Sequence, residues 1–297
     1  MSHQIKTLLN FGSVFFILFL LCCAVHADGP AAATATTAPP APIRFLLTFD
    51  DGPSAAIYNN ATEQVLDVLA HNAVQNDIKA IFFTQTRAIN GGGTERGRAL
   101  MRREWHEGHL LEFHTATAHH DNHRSLDQAE LDAALQTGIT DLTEITGVAP
   151  KIVRPPFWSF DQRTFEQYQQ HGLHMLLTDL SANDGKIWGV NFSFHKHSNL
   201  LRQLTELKTQ WQAGALPVVD GVTPVIVTFH DVNTYTSNHV EVYLLILLQV
   251  AQETGMPTAA PAFYSERDAI ERAALARTVQ DGSVRQKLPG FWDWLWH

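Results

Sequence analysis

The chain has 297 residues, of which 45% are hydrophobic and 17% are charged, so it can bury a full core as one large domain or two small ones. This composition excludes an intrinsically disordered protein. The net charge of −9 argues against nucleic acid or an anionic membrane surface as a partner, because both require basic patches.

The first 27 residues have the layout of a secretory signal peptide. Lys6 precedes an apolar block from Val14 to Val25, and Ala27 offers a small residue for cleavage. The alternative is a membrane span, but the uninterrupted block is shorter than the roughly 18 to 20 residues that a span needs. We therefore predict cleavage near Ala27, a secreted or periplasmic protein, and a mature chain without a membrane span.

Both cysteines, Cys22 and Cys23, lie inside this apolar block. Lipid attachment at Cys23 is a further alternative, which Cys22 directly before it disfavours. Cleavage near Ala27 leaves a chain without cysteine, whose stability must come from core packing. It also removes Lys6, which leaves 20 basic and 30 acidic side chains and a net charge of −10.

Residues 28–42 are rich in Ala, Thr and Pro and are predicted to be a linker. Apolar runs of strand length then alternate with segments of helical periodicity up to residue 265. The predicted strands are Ile43–Phe49, Lys79–Thr84, His109–Phe113, Ile152–Val153, Met175–Thr178 and Val222–Phe229. The predicted helices are Thr62–His71, Thr94–Glu107, Leu126–Thr146, Asp161–His171, Leu200–Gln212 and Val240–Thr254.

This alternation predicts an α/β fold with a parallel sheet covered by helices. Polar clusters follow several strands, as they do on the catalytic face of a β/α barrel. A doubly wound open sheet would place them similarly, so both architectures stay open on the pattern alone. Residues 266–297 are predicted to form a C-terminal helix and a Trp-rich tail. The tail could stack on sugars, but packing on the domain or on a partner subunit is favoured because apolar terminal segments usually dock.

The first candidate site residues are Asp50 and Asp51, at the end of the first predicted strand. Successive residues at a strand end point to different sides, so one carboxylate could bind a metal while the other acts as a base. A plain turn at Asp50-Asp51-Gly52-Pro53 is the alternative.

The second cluster is formed by histidines around the end of the third strand. Imidazole is the commonest metal ligand in proteins, and His114 with His119 or His120 could bind Zn²⁺ together with Asp51. Six of the sixteen histidines fall here, and the remaining three are predicted to lie in a solvated polar loop: His106, His109 and His123.

Three further groups follow later strands. The turn Arg154-Pro155-Pro156-Phe157 is rigid because proline restricts its backbone. Asp179 and Asp184 follow the fifth predicted strand, and His230 ends the sixth.

In this order, the motifs resemble those of the polysaccharide deacetylases, also called the NodB-homology domain or carbohydrate esterase family 4. Thr48-Phe49-Asp50-Asp51-Gly52-Pro53 is similar to the first family motif, and Arg154-Pro155-Pro156-Phe157 to the third. His230 stands where the last motif has its histidine. The likeness extends from residue 43 to about 265 and implies a distorted or incomplete β/α barrel.

The resemblance also implies roles for these residues: Asp50 as general base, His230 as general acid, and Asp51, His114 and a second histidine as metal ligands. The backbone N–H of Phe157 would bind the oxyanion, and Arg154, paired with Asp184, would tune Asp50. The segment between the two ligand histidines is one residue longer than in the family, and we predict His119 as the second ligand. The implied metal is Zn²⁺, with Co²⁺ or Ni²⁺ as alternatives.

The function implied is metal-dependent removal of N-acetyl groups from a polysaccharide that contains N-acetylglucosamine. An O-acetyl esterase acting on acetylated xylan would use the same residues. The altered histidine spacing leaves a third possibility, a carbohydrate- or metal-binding relative without catalysis. The fourth family motif also departs from the pattern, because Gly185 follows Asp184 and the nearest tryptophan is Trp188.

Overall fold

A computed structural model describes residues 39–184 and 195–286 of the chain. The predicted signal peptide, most of the linker, Trp188 and the Trp-rich tail lie outside the described residues. The strands are β1 (Ile43–Asp50), β2 (Ala80–Gln85), β3 (Leu110–Thr115), β4 (Ile152–Val153), β5 (His174–Met175), β6 (Leu180–Ser181), β7 (Thr223–His230) and β8 (Thr258–Phe263). The helices are α1 (Ala61–Ala70), α2 (Glu95–His106), α3 (Gln128–Thr146), α4 (Gln162–Gln170), α5 (Lys196–Gln212), α6 (Thr234–Ser237), α7 (Val240–Thr254) and α8 (Arg267–Ala276).

The strands form one parallel sheet in the order β5-β4-β3-β2-β1-β7-β6, and β8 also pairs with β1. The two ends of this order, β5 and β6, are joined in sequence by the short segment Leu176–Asp179. Leu176 N–H donates to Val153 on one edge, and Asp179 N–H donates to Ile226 on the other. The sheet therefore curls until its edges are bridged, and the predicted incomplete barrel with outer helices is confirmed.

Alternation along the strands sorts side chains into two packed layers. Outward residues of β1, β2 and β7, among them Phe49, Phe82 and Phe229, pack with α1, α5 and α7. Inward residues of the same strands pack against α8, which contributes Ile270 and two alanines. Because apolar side chains cover both faces of these strands, polar side chains can line a cavity at the strand ends.

The structure differs from the predicted elements at several places, and the short elements β6 and α6 were not predicted. The predicted strand Met175–Thr178 covers parts of the bridge between β5 and β6, because the chain leaves one sheet edge there and joins the other. The strand β8 was not predicted, since its sequence Thr-Ala-Ala-Pro-Ala-Phe lacks an alternating pattern of β-branched residues. Within the described ranges, no helix has the length and apolarity needed to cross a membrane.

Candidate active site

The carboxyl ends of β1, β3, β4 and β7 surround a cavity of about 830 Å³. It brings together most of the side chains singled out in the sequence, because parallel strands end at the same edge. Among its lining residues are Asp50, Asp51, His114, His119, His120, Phe157, Trp158, Asp184 and His230.

The two adjacent carboxylates separate at a sharp turn after β1. Asp51 has a left-handed backbone (φ 72°), whereas Asp50 is the last residue of the strand and is 2% exposed. The next residue, Gly52, lies so close to Asp231 that a Cβ would stand 2.2 Å from its Oδ2. Glycine at position 52 therefore permits the close approach of the Asp231 carboxylate to this turn.

Asp51, His114 and His120 form the one cluster of metal-ligating side chains found among the described residues. His114 Nε2 lies 3.1 Å from Asp51 Oδ1 and 3.1 Å from His120 Nε2, and His120 Nε2 lies 3.3 Å from Asp51 Oδ1. Ligands bound tetrahedrally at about 2.0–2.1 Å stand about 3.3 Å apart, so this donor set fits one small divalent ion.

The orientation of His114 also suits a metal ligand. Its Nδ1–H donates to Arg154 O at 2.7 Å, which fixes the tautomer and leaves the lone pair of Nε2 facing Asp51 and His120. Burial would raise the pKa of Asp51, but the surrounding imidazoles of His114, His230 and His120 outweigh it and hold that pKa below its usual value.

The structure brings His120, rather than the predicted His119, to this cluster. His120 has a left-handed backbone (φ 55°), which folds its side chain back toward His114. His119 is exposed and lines the cavity beside the cluster. The difference depends on one backbone dihedral angle, which histidine spacing alone does not reveal.

Asp50 is held by the buried guanidinium of Arg154. Arg154 Nη1 donates to Asp50 Oδ1 at 2.9 Å, and Arg154 is fully shielded from solvent. Its guanidinium lies over the ring of Phe83 at 4.2 Å and over that of Trp158 at 5.1 Å. The predicted link between Arg154 and Asp50 is therefore present in the geometry.

The implied pair of Asp184 with Arg154 is not present among the described contacts. Asp184 pairs with His230 instead. Its Oδ1 lies 2.8 Å from His230 Nδ1, and its Oδ2 accepts from the backbone N–H of His230 at 2.9 Å and from Thr236 Oγ1 at 2.5 Å. Asp179 instead forms a buried ion pair with Arg277. Asp184 follows β6, which pairs with β7, and so reaches the end of β7, whereas the guanidinium of Arg154 is held by Asp50 on β1.

The pKa of His230 is raised to about 10. Burial lowers it, but the charge of Asp184 and its hydrogen bond, together with Asp51 and Asp50, outweigh burial. The ring is therefore protonated at neutral pH, with Nδ1 donating to Asp184 and Nε2–H as its other donor.

Two of the histidines expected in a solvated loop are buried instead. His109 is 1% exposed and accepts a hydrogen bond from the backbone N–H of Ala80, and His123 is 0% exposed with its Nδ1 2.8 Å from Tyr168 Oη. Burial lowers the pKa of each to about 3, so both are neutral core residues. His106 is exposed, as predicted.

A tight aromatic turn forms one wall of the cavity. Phe157 and Trp158 both have left-handed backbones, with φ of 57° and 55°. Each such residue costs roughly 1–2 kcal/mol. The ring of Phe157 stacks on that of His120 (centroids 4.5 Å apart, 23° between planes). Trp158 was not among the predicted site residues, although its position directly after Phe157 was a usable signal.

Comparison with known proteins adds to this geometry. Residues 38–176 match the family model for polysaccharide deacetylase. A chitin deacetylase of Pestalotiopsis sp is 32% identical over 151 residues, which cover 51% of this chain and 46% of that protein. A peptidoglycan-N-acetylglucosamine deacetylase of Bacillus cereus is 32% identical over 111 residues, covering 37% of this chain and 35% of that protein.

The fold is also similar to the solved structure of the chitin deacetylase from Colletotrichum lindemuthianum. The TM-score is 0.53 at 24% identity, over 75% of this chain and 88% of that one. In sequence, the chain aligns with less than half of the length of the Pestalotiopsis and Bacillus cereus deacetylases. The range that matches the family model, residues 38–176, includes Asp50, Asp51, His114, His120 and Arg154, whereas Asp184 and His230 lie beyond it.

Proposed function

Because residues 38–176 belong to the polysaccharide deacetylase family, we propose that this chain is a metal-dependent hydrolase that removes N-acetyl groups from a polysaccharide containing N-acetylglucosamine. The observation that carries the proposal is that one cavity holds both a cluster of metal-ligating side chains, Asp51, His114 and His120, and two groups able to transfer protons. These groups are Asp50, which is held by Arg154, and His230, which is held by Asp184. A pure binding protein has no physical need for such a pair.

The proposed metal ligands are Asp51, His114 and His120, and Zn²⁺ is the proposed ion. When bound, a divalent ion polarises the acetyl carbonyl and lowers the pKa of a coordinated water, to about 7 for Zn²⁺. Two imidazoles and one carboxylate also accept Co²⁺ or Ni²⁺. Measurement of bound metal after purification in metal-free buffer would test this identity.

Asp50 is proposed to take the proton of the attacking water. Its Oδ1 accepts from Arg154 Nη1, which leaves Oδ2 as the proposed acceptor, and Asp50 lines the cavity. The fixed guanidinium prevents the carboxylate from rotating, so the base stays aimed as the reaction proceeds. The backbone N–H of Phe157 is proposed to donate to the oxyanion that forms as water adds to the carbonyl.

His230, next to Asp50 at the end of β7, is proposed to act as the acid. Asp184 fixes its Nδ1 and keeps the ring protonated, so Nε2–H can deliver a proton to the departing amine. Without that proton, collapse of the tetrahedral intermediate would expel an amide anion, which is a far poorer leaving group than an amine.

The test is acetate release from N-acetylglucosamine oligomers and from acetylated xylan, with chelator and with added Zn²⁺. Metal-dependent release from the amide substrate supports the proposal. Release from the ester alone would identify an O-acetyl esterase, and no release despite tight metal binding would favour a binding protein.

We also propose that the protein acts outside the cytoplasm after removal of residues 1–27. The support is the apolar block between Val14 and Val25 and the small residue Ala27. N-terminal sequencing of protein recovered from the culture medium or the periplasm is expected to begin at Asp28. Recovery of the intact N-terminus from the membrane fraction would contradict it.

A further inference from the structure

The two histidines of the metal cluster are oriented in different ways. His114 is fixed by the hydrogen bond from Nδ1 to Arg154 O (2.7 Å). His120 has no comparable partner, because within the described ranges its only hydrogen bond uses Nε2, the atom that faces His114. A ligand histidine usually needs a second contact that sets its ring orientation.

The backbone on both sides of His120 is held by hydrogen bonds. Ala118 O accepts from the backbone N–H of Ile89, and the N–H of Asp121 donates to Thr117 Oγ1. These bonds fix the main chain but not the rotation of the imidazole about its side-chain bonds. The ring must therefore be oriented by a contact of its own.

The contact that meets this need comes from Phe157, 37 positions further along the sequence. Its ring stacks on the His120 imidazole at 4.5 Å and 23°, yet Phe157 is 59% exposed. A large aromatic side chain that leaves most of its surface in water, on a left-handed backbone, contributes little to the core. Its placement is explained by the contact with His120.

We propose that Phe157 is a positioning residue whose ring holds the imidazole of His120 in the orientation required to bind the metal ion. The inference rests on the metal site of the proposed function but assigns the side chain of Phe157 a task separate from its backbone N–H. Stacking restricts rotation of the imidazole, which lowers the entropy lost when Nε2 binds the ion.

Trp158 provides a matched control. It is the next residue, has the same left-handed conformation and also lines the cavity, but its ring contacts the guanidinium of Arg154. Trp158→Leu therefore removes an aromatic ring from the same turn without touching His120. Phe157→Tyr keeps the stacked ring and serves as the conservative variant.

The experiment measures the Zn²⁺ dissociation constant of the wild type, Phe157→Leu, Phe157→Met, Phe157→Tyr and Trp158→Leu by competition with a chelating dye. The two variants without a ring are expected to bind Zn²⁺ about 10-fold more weakly, the size typical of outer contacts to a metal ligand. Phe157→Tyr and Trp158→Leu should bind as the wild type does. The Co²⁺-loaded proteins should follow the same division in their visible absorption spectra.

Unchanged Zn²⁺ affinity in both Phe157→Leu and Phe157→Met would overturn the proposal, as would equal weakening in Trp158→Leu, which would indicate a general effect of the turn. Because Phe157 is exposed, both variants are expected to fold, and circular dichroism checks this. These readouts do not depend on turnover. A wild type that binds Zn²⁺ but releases no acetate would overturn the proposed function alone.

Discussion

Asp50 and His230 are direct neighbours in the parallel register of β1 and β7, each as the last residue of its strand. Residues in register on adjacent parallel strands point to the same face, so both side chains enter one cavity. The proposed base and acid are thus set at a fixed separation by backbone hydrogen bonds. Arg154 then orients the first, and Asp184 orients the second.

Asp50→Asn is expected to remove turnover and keep the metal. The amide cannot accept the water's proton, so acetate release should fall by roughly 10²–10⁴-fold. Zn²⁺ affinity should stay near that of the wild type, because Asp50 is not part of the Asp51–His114–His120 cluster. Steady-state kinetics and metal titration of the same preparation check both parts. Normal turnover would remove Asp50 from the mechanism.

His120→Ala and His119→Ala are expected to differ sharply in metal binding. His120→Ala removes one of the three proposed protein ligands. It should therefore weaken Zn²⁺ binding by more than roughly 100-fold, which is the upper limit for removing a group that only contacts a ligand. His119→Ala should bind Zn²⁺ as the wild type does, because that side chain is exposed beside the cluster. The opposite ranking in a competition titration would restore His119 as the ligand.

Asp184→Asn is expected to move the alkaline limb of the rate profile to lower pH. The charge of Asp184 raises the pKa of His230, so removing it makes the ring lose its proton at lower pH. Since the protonated ring is the proposed acid, activity should then decline earlier as pH rises. The profile of kcat/KM against pH measures this shift.

Asp179→Asn is the matched control, because Asp179 pairs with Arg277 and not with His230. Its alkaline limb should coincide with that of the wild type, whatever its effect on stability. Equal shifts in the two variants would show that the limb does not report the Asp184–His230 pair.

Glu112→Gln is expected to make stability less dependent on pH. Burial raises the pKa of Glu112 to about 8, although two backbone N–H groups, those of Lys151 and Ile152, donate to it. The folded state therefore keeps a proton that the unfolded state releases near pH 4.5, and stability falls as pH rises from about 4.5 to 8. The effect is on the order of a few kcal/mol.

Urea unfolding at several pH values between 5 and 8.5 checks this. The variant is expected to gain on the wild type as pH rises, because a glutamine has no proton to lose. Stability curves that stay parallel over this range would show that Glu112 does not titrate there.

Local patterns in the sequence were sufficient for the α/β class with a parallel sheet and for much of the site, whereas the incomplete barrel was implied by the family resemblance. The order of strands and helices followed from hydrophobic periodicity, which reports the burial of each segment. Asp50, Asp51, His114, Arg154 and His230 were found because each stands at or just past the carboxyl end of a strand, where a parallel sheet exposes its functional edge. These inferences required only neighbours in sequence.

The remaining features depended on contacts between distant parts of the chain. The choice of His120 over His119 was decided by one left-handed residue and by the ring of Phe157, and the partner of Asp184 by the curl of the sheet that brings β6 beside β7. The burial of His109 and His123 was decided by Ala80 and Tyr168 in the same way. Spacing along the chain does not encode such contacts, because they exist only after the sheet has closed around its core.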